Sequence, residues 1–254
     1  MVKTVIKKLC IMISIITIIV GSYFLEINEF PPKKEIKIVS YNIHSGLNKD
    51  MFPSLFDIID FLRIENADII CLQEVNESAK AGFQVSSLKE DLDMYSHFGA
   101  NVVKLGSNYG LATYSKYKIK SQDHIYLSSE TEQRGMLHTV VKIGAGRKLN
   151  IINLHLGLDN KEREKQINEV EKFVENLEDP YIVVGDFNQG NMNINQKIFK
   201  DAAASTNKNN ILTYATGLDR IDYMLVSPEI EVKYYDVLMK NMSDHYPIVA
   251  KLKI

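Results

Sequence analysis

Six short polar motifs, each closing or opening an apolar run, constrain this chain more than any other feature. They are Val39-Ser40-Tyr41-Asn42, Cys71-Leu72-Gln73-Glu74, Asn153-Leu154-His155, Gly185-Asp186-Phe187-Asn188, Arg220-Ile221-Asp222-Tyr223 and Ser243-Asp244-His245-Tyr246-Pro247. A short apolar run bounded by turn-forming residues reads as a buried strand. Each motif therefore offers a carboxylate, carboxamide or imidazole from the tip of a strand. Such a chain must bury sheet and gather its chemistry in the loops at the sheet ends.

The rest of the pattern agrees. Ile36 to Ser40 alternates as a strand, and Asp68 to Glu74 is a short buried one. Phe52, Leu55, Phe56, Ile59 and Leu62 recur at helical spacing, with Asn66 as a stop. Residues 81–92 carry a weaker helical pattern. Successive strands follow over 109–115, 118–127, 136–143 and 148–154, with Gly144-Ala145-Gly146-Arg147 as a turn. Lys161 to Leu177 returns to helix, its apolar face made by Ile167, Val170, Phe173, Val174 and Leu177, and strands close the chain at 181–184, 221–226 and 248–252. Strands that often follow strands predict an α/β sandwich rather than a purely parallel doubly wound sheet.

At 254 residues the chain is long enough for one large core. Residues 36–254 read as one catalytic domain, 27–35 as a short linker around Pro31-Pro32-Lys33-Lys34, and 1–26 as a separate hydrophobic segment. Leu9 to Val20 is apolar but for Ser14 and Thr17. Lys3, Lys7 and Lys8 precede it, and Glu26 and Glu29 follow. This order predicts a cell-membrane protein with a single N-terminal helix and the domain outside the cytoplasm. A cleaved signal, with the protein secreted, and a buried helix of the domain are the other readings. Cys10 precedes the apolar stretch, which argues against a lipidated cysteine. Cys71 lies in a buried strand, so no disulfide forms within the domain. The net charge is −2, and removing the lysine-rich first 26 residues leaves −4. That balance lacks the broad basic footprint of a protein gripping long nucleic acid.

Glu74, directly after its apolar run, would emerge into a cleft as a ligand for a hard cation such as Mg²⁺, which takes oxygen donors. Its other reading is an N-cap or surface carboxylate. Asn42 is placed alike and would orient Glu74 or donate to a phosphate oxygen, if it is not a plain turn residue. Asp186 and Asn188 are two apart across an irregular turn and so point to one side; an Asx-turn is their alternative. A lone histidine is usually structural, but His155 and His245 both sit at strand tips beside acids. Phosphodiester hydrolysis needs such a pair: one imidazole activates water, and the other assists departure or stabilises the phosphorane. Asp222 can accept a hydrogen bond from one imidazole and fix its tautomer. Arg134, opening a strand, would place a guanidinium on a phosphate, or is a turn arginine.

Taken together these motifs resemble the endonuclease/exonuclease/phosphatase superfamily, which includes DNase I-like nucleases, inositol polyphosphate 5-phosphatases and bacterial sphingomyelinases. The resemblance runs from Ile36 to Ile254. It implies a four-layer αββα sandwich and dependence on Mg²⁺ or Mn²⁺. Under it, Glu74 is similar to the family's principal metal ligand, Asn42 to its neighbour, and Asp244 to a further carboxylate on the metal side. His245 resembles the general base, with Asp222 as partner, and His155 the second histidine, which contacts the scissile phosphate. Asp186 and Asn188 match the pair handling nucleophile and phosphate. Two departures stand out. Leu111 occupies a place where asparagine is frequent in the strand Tyr109–Ser115, and no carboxylate supporting the first histidine is legible.

The expected activity is a membrane-tethered or secreted phosphoesterase acting on a phosphodiester or phosphomonoester of a lipid or small molecule. An extracellular metal-dependent nuclease is the alternative, with nucleic acid as substrate, and a catalytically silent binding module a third reading. Residues 205–219 are too brief for a long DNA-binding insertion. His155-Leu156-Gly157-Leu158, Glu162-Arg163 and Gln166 resemble segments of bacterial, membrane-linked members, although the helix carrying Glu162 and Arg163 also reads as a solvated amphipathic face.

Overall fold

The computed structural model describes residues 34–254 except Ala145 and Leu218. The expected N-terminal hydrophobic helix, the cleavage site and nearly all of the linker lie outside the described residues. Among the described residues, no helix is long and apolar enough to cross a membrane.

Two six-stranded mixed sheets form the centre. The first contains β1 (Glu35–Asn42), β2 (Ile69–Ser78), β3 (Tyr95–Lys104), β4 (Ser107–Ser115), β11 (Glu231–Val237) and β12 (Ile248–Lys253), in the order β11-β12-β1-β2-β4-β3. The second contains β5 (Ile119–Tyr126), β6 (Gly135–Lys142), β7 (Lys148–His155), β8 (Tyr181–Asp186), β9 (Lys200–Asp201) and β10 (Asp222–Val226), in the order β5-β6-β7-β8-β10-β9. Among the described residues, only β1–β2 and β7–β8 pair in parallel. Helices α1 (Leu55–Glu65) and α2 (Gln84–Leu92) cover the outer face of the first sheet. Helix α3 (Asn160–Val174) covers that of the second. The result is the expected αββα stack.

Alternation explains the layers. In β1, Ile36 and Ile38 enter the core between the sheets, whereas Val39 and Tyr41 pack under the helices. In β2, Ile69 and Cys71 go inward and Ile70 and Leu72 outward. Leu149 and Ile151 of β7, Ile182 and Val184 of β8, and Met224 and Val226 of β10 also face inward. Their alternate neighbours contact α3's side. Each inward residue of this kind contributes about 1.5–3 kcal/mol by leaving water.

The alternation also places the chemistry. Continuing the same inward faces to one end of the strands gives Ser40 and Asn42, Gln73, Asn153 and His155, Asp186 and Asp222, all buried. The inter-sheet core is thus apolar along most of its length and turns polar at one mouth. Just beneath that mouth, Gln73 Nε2 donates to Asn153 Oδ1 at 2.7 Å, and Asn153 Nδ2 donates to the carbonyls of Leu72 and Ala112 at 3.1 and 3.0 Å. This bridge ties the two sheets together.

Several boundaries differ from the sequence reading. Helix α1 begins at Leu55, and Phe52 and Phe56 are exposed, because its buried face is Ile58, Ile59, Phe61 and Leu62. Asn66 does stop it, in a left-handed conformation with its N–H on the Leu62 carbonyl at 3.1 Å. Strands β3, β9 and β11 have no counterpart in the sequence reading. The buried face of β3 is His97, Gly99 and Asn101, which gives no apolar alternation, and β11 is an edge strand whose register shifts between Val232 and Tyr234.

Candidate active site

Strand register lines up one side of the site. Gly135 pairs with His155, His155 with Asp186, and Asp186 with Asp222, across β6, β7, β8 and β10. Arg134, directly before β6, extends that row. Gly185 makes the row tight: its φ is +144°, and a Cβ there would meet the Leu154 carbonyl at 2.0 Å. The first sheet supplies the facing row. Asn42 pairs with Gln73, and the loop before β12 brings Ser243, Asp244 and His245 to the same end. Ser243 Oγ donates to the Asn42 carbonyl at 2.8 Å and fixes that loop.

Glu74 does not end its strand, as the sequence suggested. β2 continues to Ser78, and Glu74 sits where the register shifts between Leu72 and Val75, with φ +57°. A bulge re-aims a side chain without ending the strand. Here it turns Glu74 toward the mouth, where its Oε1 accepts from Asn42 Nδ2 at 2.9 Å. The same Nδ2 donates to Asp186 Oδ2 at 3.0 Å, so one carboxamide joins the two sheets at the site.

His245 Nδ1 lies 2.9 Å from Asp222 Oδ2, and His245 Nε2 lies 3.5 Å from Asp186 Oδ2. Tyr214 flanks the His245 ring at 5.0 Å between centroids. Asp222 is held in turn: its N–H and that of Ile221 both donate to Thr213 Oγ1 at 3.0 Å, and Arg220 forks onto Asp201 at 3.0 and 2.6 Å. His155 Nε2 also stands 3.5 Å from Asp186 Oδ2. The Nη1 of Arg134 lies 3.2 and 3.1 Å from the two nitrogens of His155, and 3.1 Å from Glu132 Oε1. Asn188 is left-handed at φ +50°; its N–H caps Asp186 Oδ1 at 2.8 Å and its Nδ2 donates to the Leu156 carbonyl at 2.9 Å.

The structure thus gathers Asn42, Glu74, Arg134, His155, Asp186, Asn188, Asp222 and His245. Asp244 borders the group; its Oδ1 accepts from Ser243 Oγ at 3.2 Å and lies 3.7 Å from His44 Nδ1. An arginine flanks the first histidine, where the family resemblance implies a supporting carboxylate. Three further residues reach the site unannounced by the sequence. They are Glu132, Tyr214 and Tyr109, whose phenol lies near the Glu74 carboxylate. Tyr109 lies in β4, two residues before Leu111; Leu111 itself is fully buried.

Charge follows from these surroundings. Burial, then Arg134 and His245, push His155 well below its ordinary pKa, so it stays neutral. Burial alone would lower His245 too, but Asp222 and Asp186 overcome it and raise it to about 10. Burial lifts Asp186 to about 7, against the pull of His245. Burial and Glu74 push the Tyr109 phenol upward, which keeps it neutral. Asp186, Asp222 and His245 present ligand atoms within 4.8 Å of one another, a cluster that can hold a metal ion. The surrounding donors are hard: carboxylate oxygens of Glu74 and Asp186 steadied by one carboxamide. Such a set fits a hard divalent cation.

The sequence model of the Endonuclease/Exonuclease/phosphatase family matches residues 39–245, which spans both rows of the site. The chain belongs to this family. Members of the family are phosphoesterases or nucleases that hydrolyse phosphoester bonds, typically with a divalent metal. The chain is also 28% identical over 250 residues to the uncharacterised protein YbhP of Escherichia coli K12, covering 86% of this chain and 96% of YbhP. Among solved structures, an endonuclease/exonuclease/phosphatase from Beutenbergia cavernae superposes with a TM-score of 0.75 at 18% identity, over 87% of this chain and 72% of that one. The mannosyl-6-phosphatase Bt3783 of Bacteroides thetaiotaomicron gives 0.69 at 19%, over 86% and 100%. At such identities the structural likeness is one of fold.

Proposed function

We propose that this protein is a Mg²⁺- or Mn²⁺-dependent phosphoesterase that cleaves a phosphodiester or phosphomonoester of a lipid or small molecule. The observation that carries the reading is the single Asn42 carboxamide bonded to Glu74 on one sheet and Asp186 on the other, beside the His245–Asp222 pair. Acids, amides and imidazoles from separate motifs converge there on one small volume.

Glu74 and Asp186 would hold the cation, with Asp244 at the margin. A cation held there would neutralise charge on a phosphate oxygen and, by offsetting the carboxylates around His245, would lower that imidazole's pKa toward the range of a general base. His245, held by Asp222 through Nδ1, then takes the proton of the attacking water at Nε2. Neutral His155 donates a hydrogen bond to the phosphate, and Arg134 adds positive charge beside it. Asp186 and Asn188 orient the water and phosphate. Asn42 keeps Glu74 in place.

Residues 1–26 are proposed to tether the domain outside the cytoplasmic membrane, or to direct its secretion if cleaved. Protease accessibility in intact cells tests that placement. For the chemistry, the full chain is assayed against nitrophenyl phosphates, sugar and inositol phosphates, phospholipid vesicles and DNA, with Mg²⁺, with Mn²⁺ and with EDTA. The proposal expects EDTA-sensitive phosphate or headgroup release. Nucleotide release from DNA alone establishes the nuclease alternative, and binding without turnover establishes the silent module.

A further inference from the structure

Helix α3 departs from the rule that a covering helix buries its apolar face. Its distal half does so through Val170 and Val174, but its first half buries Glu162, Arg163 and Gln166 instead. The solvated face expected for Glu162 and Arg163 is therefore wrong. A buried polar group costs stability unless its bonds are satisfied, and the partners of these side chains identify what they do.

Gln166 is the hub. Its Oε1 accepts from the Gly157 N–H at 2.8 Å, and its Nε2 donates to the Ser128 carbonyl at 2.8 Å and to Glu162 Oε1 at 3.0 Å. Glu162 Oε2 accepts from the Glu130 N–H at 3.1 Å, and Glu169, one turn beyond Gln166, accepts from the Ser128 N–H at 3.0 Å. Arg163 donates to the carbonyls of Gly157, at 3.1 Å, and Leu158, and to Gln189 Oε1 at 3.0 Å. A Cβ on Gly157 would meet Glu162 Oε1 at 2.2 Å, so a side chain there would push Glu162 off its bonds. Asp159 caps the helix, accepting from the N–H groups of Lys161 and Glu162.

The three loops held this way have one thing in common. Residues 128–130 lead into Arg134, residues 156–158 leave His155, and Gln189 follows Asn188. Nothing in the packing of α3 on the sheet requires a polar face at that end. We propose that Glu162, Arg163 and Gln166 are positioning residues: from one helix face they set the spacing of Arg134, His155 and Asn188 and hold it through turnover. This rests on the phosphoesterase reading, because the three residues they align are its phosphate-side groups.

The test uses Gln166→Met, which keeps the volume and removes the bonds, Gln166→Glu, which keeps the acceptor for Gly157, and the exchange Glu162→Gln with Gln166→Glu, which restores a donor–acceptor pair. Each is followed by hydrogen exchange resolved to residues 127–134 and 155–158, and by kcat and KM with Mg²⁺. The expected result for Gln166→Met is faster exchange in both segments and no others, with kcat down roughly 10- to 100-fold and KM little changed, as small misplacement of reacting groups predicts. The exchanged pair should recover much of both. Unchanged exchange in the two segments overturns the proposal, as does unchanged kcat despite faster exchange. If Gln166→Met does not fold, the Gln166→Glu and exchanged-pair variants decide the question by the same two measurements. If the wild type turns over no phosphoester, the functional reading falls; exchange alone then decides whether these side chains clamp the loops.

Discussion

His245 has a narrow task, since one nitrogen is committed to Asp222 and the other faces Asp186. Replacing His245 with Ala removes the imidazole so poised. Turnover should fall by about 10²- to 10⁴-fold, the usual worth of a positioned base; phosphate release by the purified variant measures it, and wild-type turnover would strike His245 from the mechanism. Glu74 poses a different question. In Glu74→Gln the side chain keeps its shape, and its carbonyl can still accept from Asn42, but the negative charge is gone. The Mg²⁺ concentration giving half-maximal rate should rise about tenfold or more. An identical titration curve would mean that the cation binds elsewhere.

At the scale of elements, the sheets are joined beneath the site by the Gln73–Asn153 bridge rather than by apolar contact. Asn153 is fully buried and serves Leu72, Ala112 and Gln73 at once. Asn153→Ala takes a donor from the Leu72 and Ala112 carbonyls in a closed interior, whereas Gln73 Nε2 keeps Ser40 Oγ at 3.2 Å; the cost is about 1–3 kcal/mol for each group that water cannot reach. A lower urea midpoint should follow, together with weaker catalysis, because the bridge underlies Asn42 and His155. A midpoint equal to wild type would show that the bridge contributes nothing net. Helix α3 gives the companion lesson: one half of an element serves the core and the other half serves the loops.

For the whole molecule, one contribution to acid stability comes from a histidine remote from the chemistry. His97 of β3 is buried, its Nδ1 2.8 Å from Thr139 Oγ1 on β6 of the other sheet. Burial, reinforced by His124 and His138 and opposed by Asp123, lowers its pKa to about 4. Between that value and the ordinary one near 6.5, the unfolded chain takes up a proton that the folded protein refuses. The contribution is therefore complete above about pH 6.5 and is lost as the pH falls toward about 4. Between about pH 7.5 and 5 the loss is on the order of 2 kcal/mol. The loss of stability between those two pH values, read from urea titrations, should be larger for wild type than for His97→Gln by about that much; equal losses would place the acid sensitivity elsewhere.

Much of this architecture is legible in the chain alone. Period-two apolar patterning and the length of each run depend only on neighbours in sequence, so most strands, the three described helices and the polar strand tips follow from it. The identity of most site residues follows too, because carboxylates, amides and imidazoles cannot end so many buried runs without being gathered together. Tertiary structure alone decided three matters. The bulge at Glu74 exists because β4 pairs on both sides of it. β3 is a strand because β4 supplies its bonds, although its buried face is polar. The polar face of α3 is buried because three distant loops supply its partners. Each of these outcomes depends on hydrogen bonds to segments far away in sequence, which no local pattern of hydrophobicity encodes.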